Sequence, residues 1–179
     1  MRLIQIRAKT LGSQAFLALV EAALERTRSA GARLIVNDRA DVAAMAGADG
    51  VHVGQDDLPP AAARSVVGSS VWVGVSTHND VQVDAAVREP VTYLAIGPVY
   101  ATKSKAAPDP VVGIDGVRRA AARARDAGLP LIAIGGITLD RASEVMRGGA
   151  TAVAVISDLV TADPGARARE FLTALDAIK

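Results

Sequence analysis

The chain has 179 residues, half of them hydrophobic and only 3% aromatic, which is the size of one domain with an aliphatic, Ala-rich core. A net charge of +1, with no basic run interleaved with aromatics, argues against a nucleic-acid or membrane surface. The absence of cysteine excludes disulfides, zinc ribbons and thiol catalysis, and no apolar run reaches the ~20 residues of a membrane span.

Residues 3–7 open the chain as a short apolar run. Gln5, Arg7 and Lys9 recur at every second position through it. Strand side chains alternate faces, so an amide and two cations share one face of an apolar strand. A solvated edge strand explains this pattern blandly. An anion site explains it better, because the three groups need a partner that an apolar strand does not supply. A helix is expected over residues 13–29, where Phe16, Leu17, Val20 and Leu24 fall on one face. Strands follow at residues 33–36, 50–53, 71–75, 92–96, 130–134 and 151–156. Helices are expected at residues 40–46, 60–66, 80–88, 115–126, 140–147 and 165–178.

The strands are apolar without clean alternation, as in parallel sheets covered on both faces. Gly31, Gly47, Gly128 and Gly149 stand between a helix and the next strand, where glycine closes a helix in the left-handed conformation. The repeated unit predicts a parallel α/β fold in a single domain, residues 1–179. A doubly wound sheet and a (β/α)8 TIM barrel compete, and the short regular units favour the barrel. Seven strands are counted, one fewer than the barrel needs.

Polar residues collect at the C-terminal ends of the strands, the face where barrels keep their active sites. The first strand brings Gln5, Arg7 and Lys9, the second Asn37 and Asp38, the third Gln55, Asp56 and Asp57, and the fourth Ser76, Thr77 and His78. The fifth leads to Thr102, Lys103, Ser104 and Lys105, the sixth ends in Gly135 and Gly136, and the last ends in Ser157. Asp38 and Asp57 have the composition of a Mg2+ site completed by phosphate oxygens. Taken singly, each is at least as well explained as a helix cap. Arg7, Lys9 and Lys105 suit a polyanion such as pyrophosphate, whose growing charge they would stabilise as it departs. Gly135, Gly136 and Ser157 suggest a second phosphate site built from backbone N–H groups. His52 reads as a structural histidine, Trp72 as core, and His78 as an open residue at a helix start.

In order, the segments Gln-Ile-Arg-Ala-Lys (5–9), Leu-Ile-Val-Asn-Asp-Arg (34–39), Gly-Val-His-Val-Gly-Gln-Asp-Asp (50–57), Gly-Val-Ser-Thr-His (74–78), Gly-Pro-Val-Tyr (97–100), Thr-Lys-Ser-Lys (102–105) and Ala-Ile-Gly-Gly-Ile (133–137) resemble the thiamine-phosphate synthase family. The resemblance runs from residue 3 to about residue 160. It implies a barrel that couples hydroxymethylpyrimidine diphosphate to a thiazole phosphate, giving thiamine phosphate and pyrophosphate, with CO2 also lost if the thiazole is carboxylated. By motif position, Gln5, Arg7, Lys9, Asn37, Ser76 and Lys105 would contact the pyrimidine diphosphate. Of these, Arg7, Lys9, Ser76 and Lys105 would be catalytic. Asp38 and Asp57 would hold Mg2+, and Thr102, Ser104, Gly136, Ile156 and Ser157 would contact the thiazole phosphate.

Ser104 stands where the family commonly has Thr, and Ala8 where it commonly has Glu. The family also has a strand and helix ahead of the Gln-x-Arg-x-Lys strand. The expectation is therefore a barrel of about seven strands, less stable than a closed one, with an edge open to self-association. The resemblance further implies small-molecule substrates, and the absence of cysteine fits a cytoplasmic setting. Two other activities compete: a thiazole tautomerase, for which His78 would move the proton, and a non-catalytic phosphate-binding remnant.

Overall fold

The computed structural model describes residues 3–102 and 109–176. Its elements run β1 (Leu3–Ile6), α1 (Ser13–Ser29), β2 (Arg33–Asn37), α2 (Ala40–Ala46), β3 (Gly50–Val53), α3 (Pro60–Val67), β4 (Trp72–Thr77), α4 (Asp80–Ala86), β5 (Tyr93–Ile96), α5 (Gly113–Asp126), β6 (Leu131–Ile134), α6 (Leu139–Arg147), β7 (Ala152–Ala154) and α7 (Pro164–Asp176), with a 3-10 turn at Ser157–Leu159. The seven strands and the alternation with helices follow the sequence pattern. Two helices, α1 and α2, have the expected bounds.

The chain forms two compact units. The first holds Met1–Ser76 with Glu89–Thr92, and the second holds Thr77–Arg88 with Tyr93–Lys179. In the first, β1, β2, β3 and β4 pair in parallel in chain order, with Ile4 beside Leu34, Val36 beside Val51 and His52 beside Gly74. Leu34, Ile35, Val36, Val51, Val53 and Val73 are fully buried, each contributing about 1.5–3 kcal/mol of transfer free energy. On α1, Phe16, Val20 and Leu24 are buried and Leu17 is half-buried, as the 3.6-residue period requires. Gly50 permits close packing of the sheet: a Cβ there would lie 2.5 Å from Ile35 Cδ1 and 2.9 Å from Trp72 Cβ. The outer strand β1 is different. Leu3 is 42% exposed and Ile4 49%.

In the second unit β5, β6 and β7 pair in parallel, with Ala95 beside Ile132 and Ala133 beside Val153. Its core is Leu94, Ile96, Val117, Ala120, Leu131, Ala133 and Val145. Ala-rich α5 lets the helix approach the sheet closely, and Gly116 and Ala124 are buried on the same face.

One device recurs at the N-terminal ends of the strands. Each time, the side chain just ahead of one strand accepts the first free N–H of the strand before it. Leu34 N donates to Asp49 Oδ2 (2.9 Å), Val73 N to Thr92 Oγ1 (3.0 Å), and Leu131 N to Thr151 Oγ1 (3.1 Å). Backbone donors at a strand start are thus satisfied without an extra residue. Trp72 belongs to this end and is not core as the sequence suggested. It is half-buried, with the Arg33 guanidinium 5.1 Å from its ring centroid. Arg33 also reaches Asp49 at 2.9 Å. The opposite strand ends carry different chemistry.

Candidate active site

In the first unit the C-terminal ends of the strands gather charge. Lys9 Nζ lies 2.9 Å from Asp38 Oδ2. Burial raises the Asp38 carboxyl above its ordinary range. Lys9 pulls it down, and a hydrogen-bonding contact with the Asp57 carboxyl pushes it up again. Asp38 and Asp57, on loops after different strands, are therefore neighbours. Neither is a helix cap. The residues before α2 and α3 are Arg39 and Pro59, and neither helix has a side-chain cap. Asp57 instead accepts from Gly54 N at 2.8 Å, closing the turn after β3. Asp38 is the one non-glycine residue with positive φ (64°) among the described residues. Strain of that kind collects at functional sites, and a short polar side chain tolerates it best.

Asn37 ends β2, half-buried beside Asp38, and Gln5 and Arg7 are exposed at the end of β1. Ser76 lies within β4. Its Oγ is 2.8 Å from His52 Nε2, and its carbonyl accepts from Gln55 Nε2 at 2.6 Å. His52 is structural as expected: buried, with burial pushing its pKa down to about 4, so the ring is neutral at pH 7. Gln55 is a contact that the sequence did not single out. Its only signal was membership of the polar run after β3.

Two carboxylates beside an ammonium fit a Mg2+ that takes its remaining ligands from phosphate oxygens and water. Among the described residues no three His, Cys, Asp or Glu side chains are grouped to hold a metal unaided.

In the second unit the strand ends offer backbone. Gly135 and Gly136 follow β6 at φ 88° and 66°. A Cβ on Gly136 would lie 2.6 Å from Ala101 O and 2.7 Å from Tyr100 O, so only glycine fits the turn. Tyr100 N donates to Gly135 O (3.1 Å), and Val99 N to Ile134 O (2.9 Å). The last strand is shorter than expected. β7 stops at Ala154, leaving Ile156 and Ser157 exposed outside it, with Ser157 opening the 3-10 turn. Thr102 is half-buried. Ser104 and Lys105 lie outside the described residues.

His78 is less open than the sequence suggested. Its N–H donates to Gln82 Oε1 at 2.7 Å, Nδ1 lies 2.5 Å from Gly97 O, and Nε2 lies 3.4 Å from Asp109 Oδ2. No helix among the described residues is long and apolar enough to cross a membrane.

Parallel βα units with charged and glycine-rich strand ends define an α/β protein of the TIM-barrel type. Residues 1–159 match the family model for thiamine monophosphate synthase, and the chain belongs to that family. It is 53% identical to the thiamine-phosphate synthase of Koribacter versatilis, over 85% of this chain and 70% of that one. It is 46% identical to the enzyme of Chloroflexus aurantiacus, over 88% and 72% respectively. Among solved structures, the thiamine phosphate pyrophosphorylase from Pyrococcus furiosus superposes with a TM-score of 0.87 at 28% identity, covering 98% of this chain and 83% of that one.

Proposed function

We propose that the chain is a transferase that joins hydroxymethylpyrimidine diphosphate to a thiazole phosphate, releasing pyrophosphate and thiamine phosphate, as one catalytic domain over residues 1–179. The observation that carries this reading is the Lys9–Asp38–Asp57 cluster. It couples a cation to a carboxylate pair at the strand ends where a diphosphate would bind.

The bond between the pyrimidine methylene carbon and the diphosphate oxygen breaks, and the electron pair leaves with pyrophosphate. The thiazole nitrogen then supplies the pair for the new C–N bond. Arg7, Lys9 and Lys105 stabilise negative charge as it grows on the leaving group, and Gln5, Asn37 and Ser76 orient the pyrimidine diphosphate. The His52 and Gln55 bonds hold Ser76 in one orientation for that task. Asp38 and Asp57 would hold Mg2+, which neutralises diphosphate charge when bound. Thr102, Ser104, Gly136, Ile156 and Ser157 take the thiazole phosphate, largely through backbone N–H groups.

The tautomerase alternative is weaker, because both His78 ring nitrogens already face acceptors. The other partners proposed are further copies of the chain along the exposed strand β1, in the cytoplasm. Sedimentation of wild type against Leu3→Lys checks the pairing, and a wild type that runs as a monomer removes it.

The test of function is direct. Purified chain is supplied with both substrates and Mg2+, and thiamine phosphate is measured. The expected result is equal amounts of thiamine phosphate and pyrophosphate. A folded chain that yields neither overturns the synthase reading, and binding without product favours the remnant.

A further inference from the structure

The match to the family model ends at residue 159, yet one contact of the second unit joins residues on either side of that point. Asp158 follows Ser157 directly. One of its oxygens, Oδ2, accepts from Leu139 N at 2.8 Å, at the first turn of α6. Arg167, on α7, places Nη2 2.9 Å from both Asp158 oxygens. Arg167 is itself constrained: Nη1 donates to Glu170 Oε2 at 2.7 Å, and the guanidinium lies 5.7 Å from the centroid of buried Phe171. The pair is partly buried, with the Asp158 side chain 19% exposed and that of Arg167 27%.

Asp158 needs a reason to be there. It places a carboxylate one residue from Ser157, where the proposed ligand carries a phosphate. Unpaired, it would repel that phosphate. It would also occupy the Leu139 N–H with no countercharge behind it. Arg167 supplies the countercharge and, through Asp158, ties the 3-10 turn both to α6 and to α7. The turn carrying Ser157 is thereby fastened to Leu139, at the start of the helix that the Gly135–Gly136 turn leads into.

We infer that Arg167, acting through Asp158, is a positioning and specificity residue for the thiazole phosphate. It orients the Ser157 turn and offsets the Asp158 charge next to the phosphate-binding serine. The inference rests on the assignment of Gly136 and Ser157 to that phosphate, and it does not involve the carboxylate cluster of the first unit.

The experiment compares wild type, Arg167→Ala, Arg167→Lys, the double variant Arg167→Ala with Asp158→Asn, and Glu170→Gln. KM is measured separately for each substrate, and calorimetry measures thiazole phosphate binding. Arg167→Ala should raise KM for the thiazole phosphate about tenfold and leave KM for the pyrimidine diphosphate within about twofold. The double variant should recover most of that loss, since it removes the stranded charge. Arg167→Lys should fall between wild type and Ala, and it keeps the comparison available if the Ala variant does not fold. Glu170→Gln, which touches Arg167 but not the turn, should match wild type.

Equal rises in both KM values, no rise at all, or no recovery in the double variant would overturn the inference. So would a wild type that fails to bind thiazole phosphate. A wild type that binds thiazole phosphate in an Arg167-dependent way but makes no thiamine phosphate would sink the synthase reading and leave this inference standing.

Discussion

The strand ends of the two units offer different physics to the phosphates proposed to bind there. The first offers the proposed diphosphate side-chain charge: Lys9 on Asp38, Asp38 on Asp57, and Ser76 bonded by His52 and Gln55. The second offers backbone, through two glycines at positive φ and a short turn opening at Ser157. The difference follows from the chemistry. A leaving diphosphate gains charge during the reaction, so mobile or metal-borne positive charge lowers the barrier. A phosphate that is only a handle keeps its charge throughout, so fixed N–H dipoles suffice and contribute to binding rather than rate.

Breaking the charged site should therefore cost rate, and breaking the backbone site should cost binding. The largest effect is expected from the carboxylates. Asp57→Asn and Asp38→Asn should each lower kcat by about a hundredfold or more, with thiazole phosphate affinity unchanged by calorimetry. A kcat within a fewfold of wild type would remove the carboxylates from the chemistry.

The next effect is on stability and depends on pH. His52 has a pKa pushed down to about 4 by burial, against about 6.5 in the unfolded chain. Between those values the unfolded chain binds a proton that the folded chain does not, so stability falls as pH drops from 6.5 towards 4 and is unaffected above 6.5. At pH 5 the loss is about 2 kcal/mol. Urea midpoints at pH 7 and pH 5 for wild type and His52→Gln measure it, and the variant should lack that part of the slope. Equal slopes would mean that His52 titrates freely in the fold.

Gly136→Ala sharpens the contrast at the backbone site. Positive φ and the near contact with two carbonyls should cost about 2 kcal/mol in a urea melt. Thiazole phosphate KM should rise while pyrimidine diphosphate KM holds. The smallest effect is expected from an exposed ion pair. Arg119→Gln removes an exposed pair with Asp80 and should change stability by less than about 0.5 kcal/mol, with both KM values unchanged.

Legibility in the sequence ends at different points in different elements. α1 and α2 were readable to the residue, because the helical period and a Gly47-type stop are both local signals. β7 was overextended, because residues 155 and 156 are as apolar as the strand itself. Trp72 was misread as core, because hydrophobicity does not reveal that an arginine covers one face. The alternating Asp49, Thr92 and Thr151 contacts were invisible, since each joins residues at least 15 apart.

By itself the sequence determined the parallel α/β class, the seven-strand count and the strand ends at which polar groups collect. Those follow from periodicity and from glycine placement, which act over a few residues. Only the tertiary structure decided that Asp38 and Asp57 are partners rather than caps, that His52 holds Ser76, and that Arg167 reaches back to Asp158. Each of these depends on the distance between side chains far apart in the chain. That distance is set by how strands register and helices pack, and no local pattern encodes it.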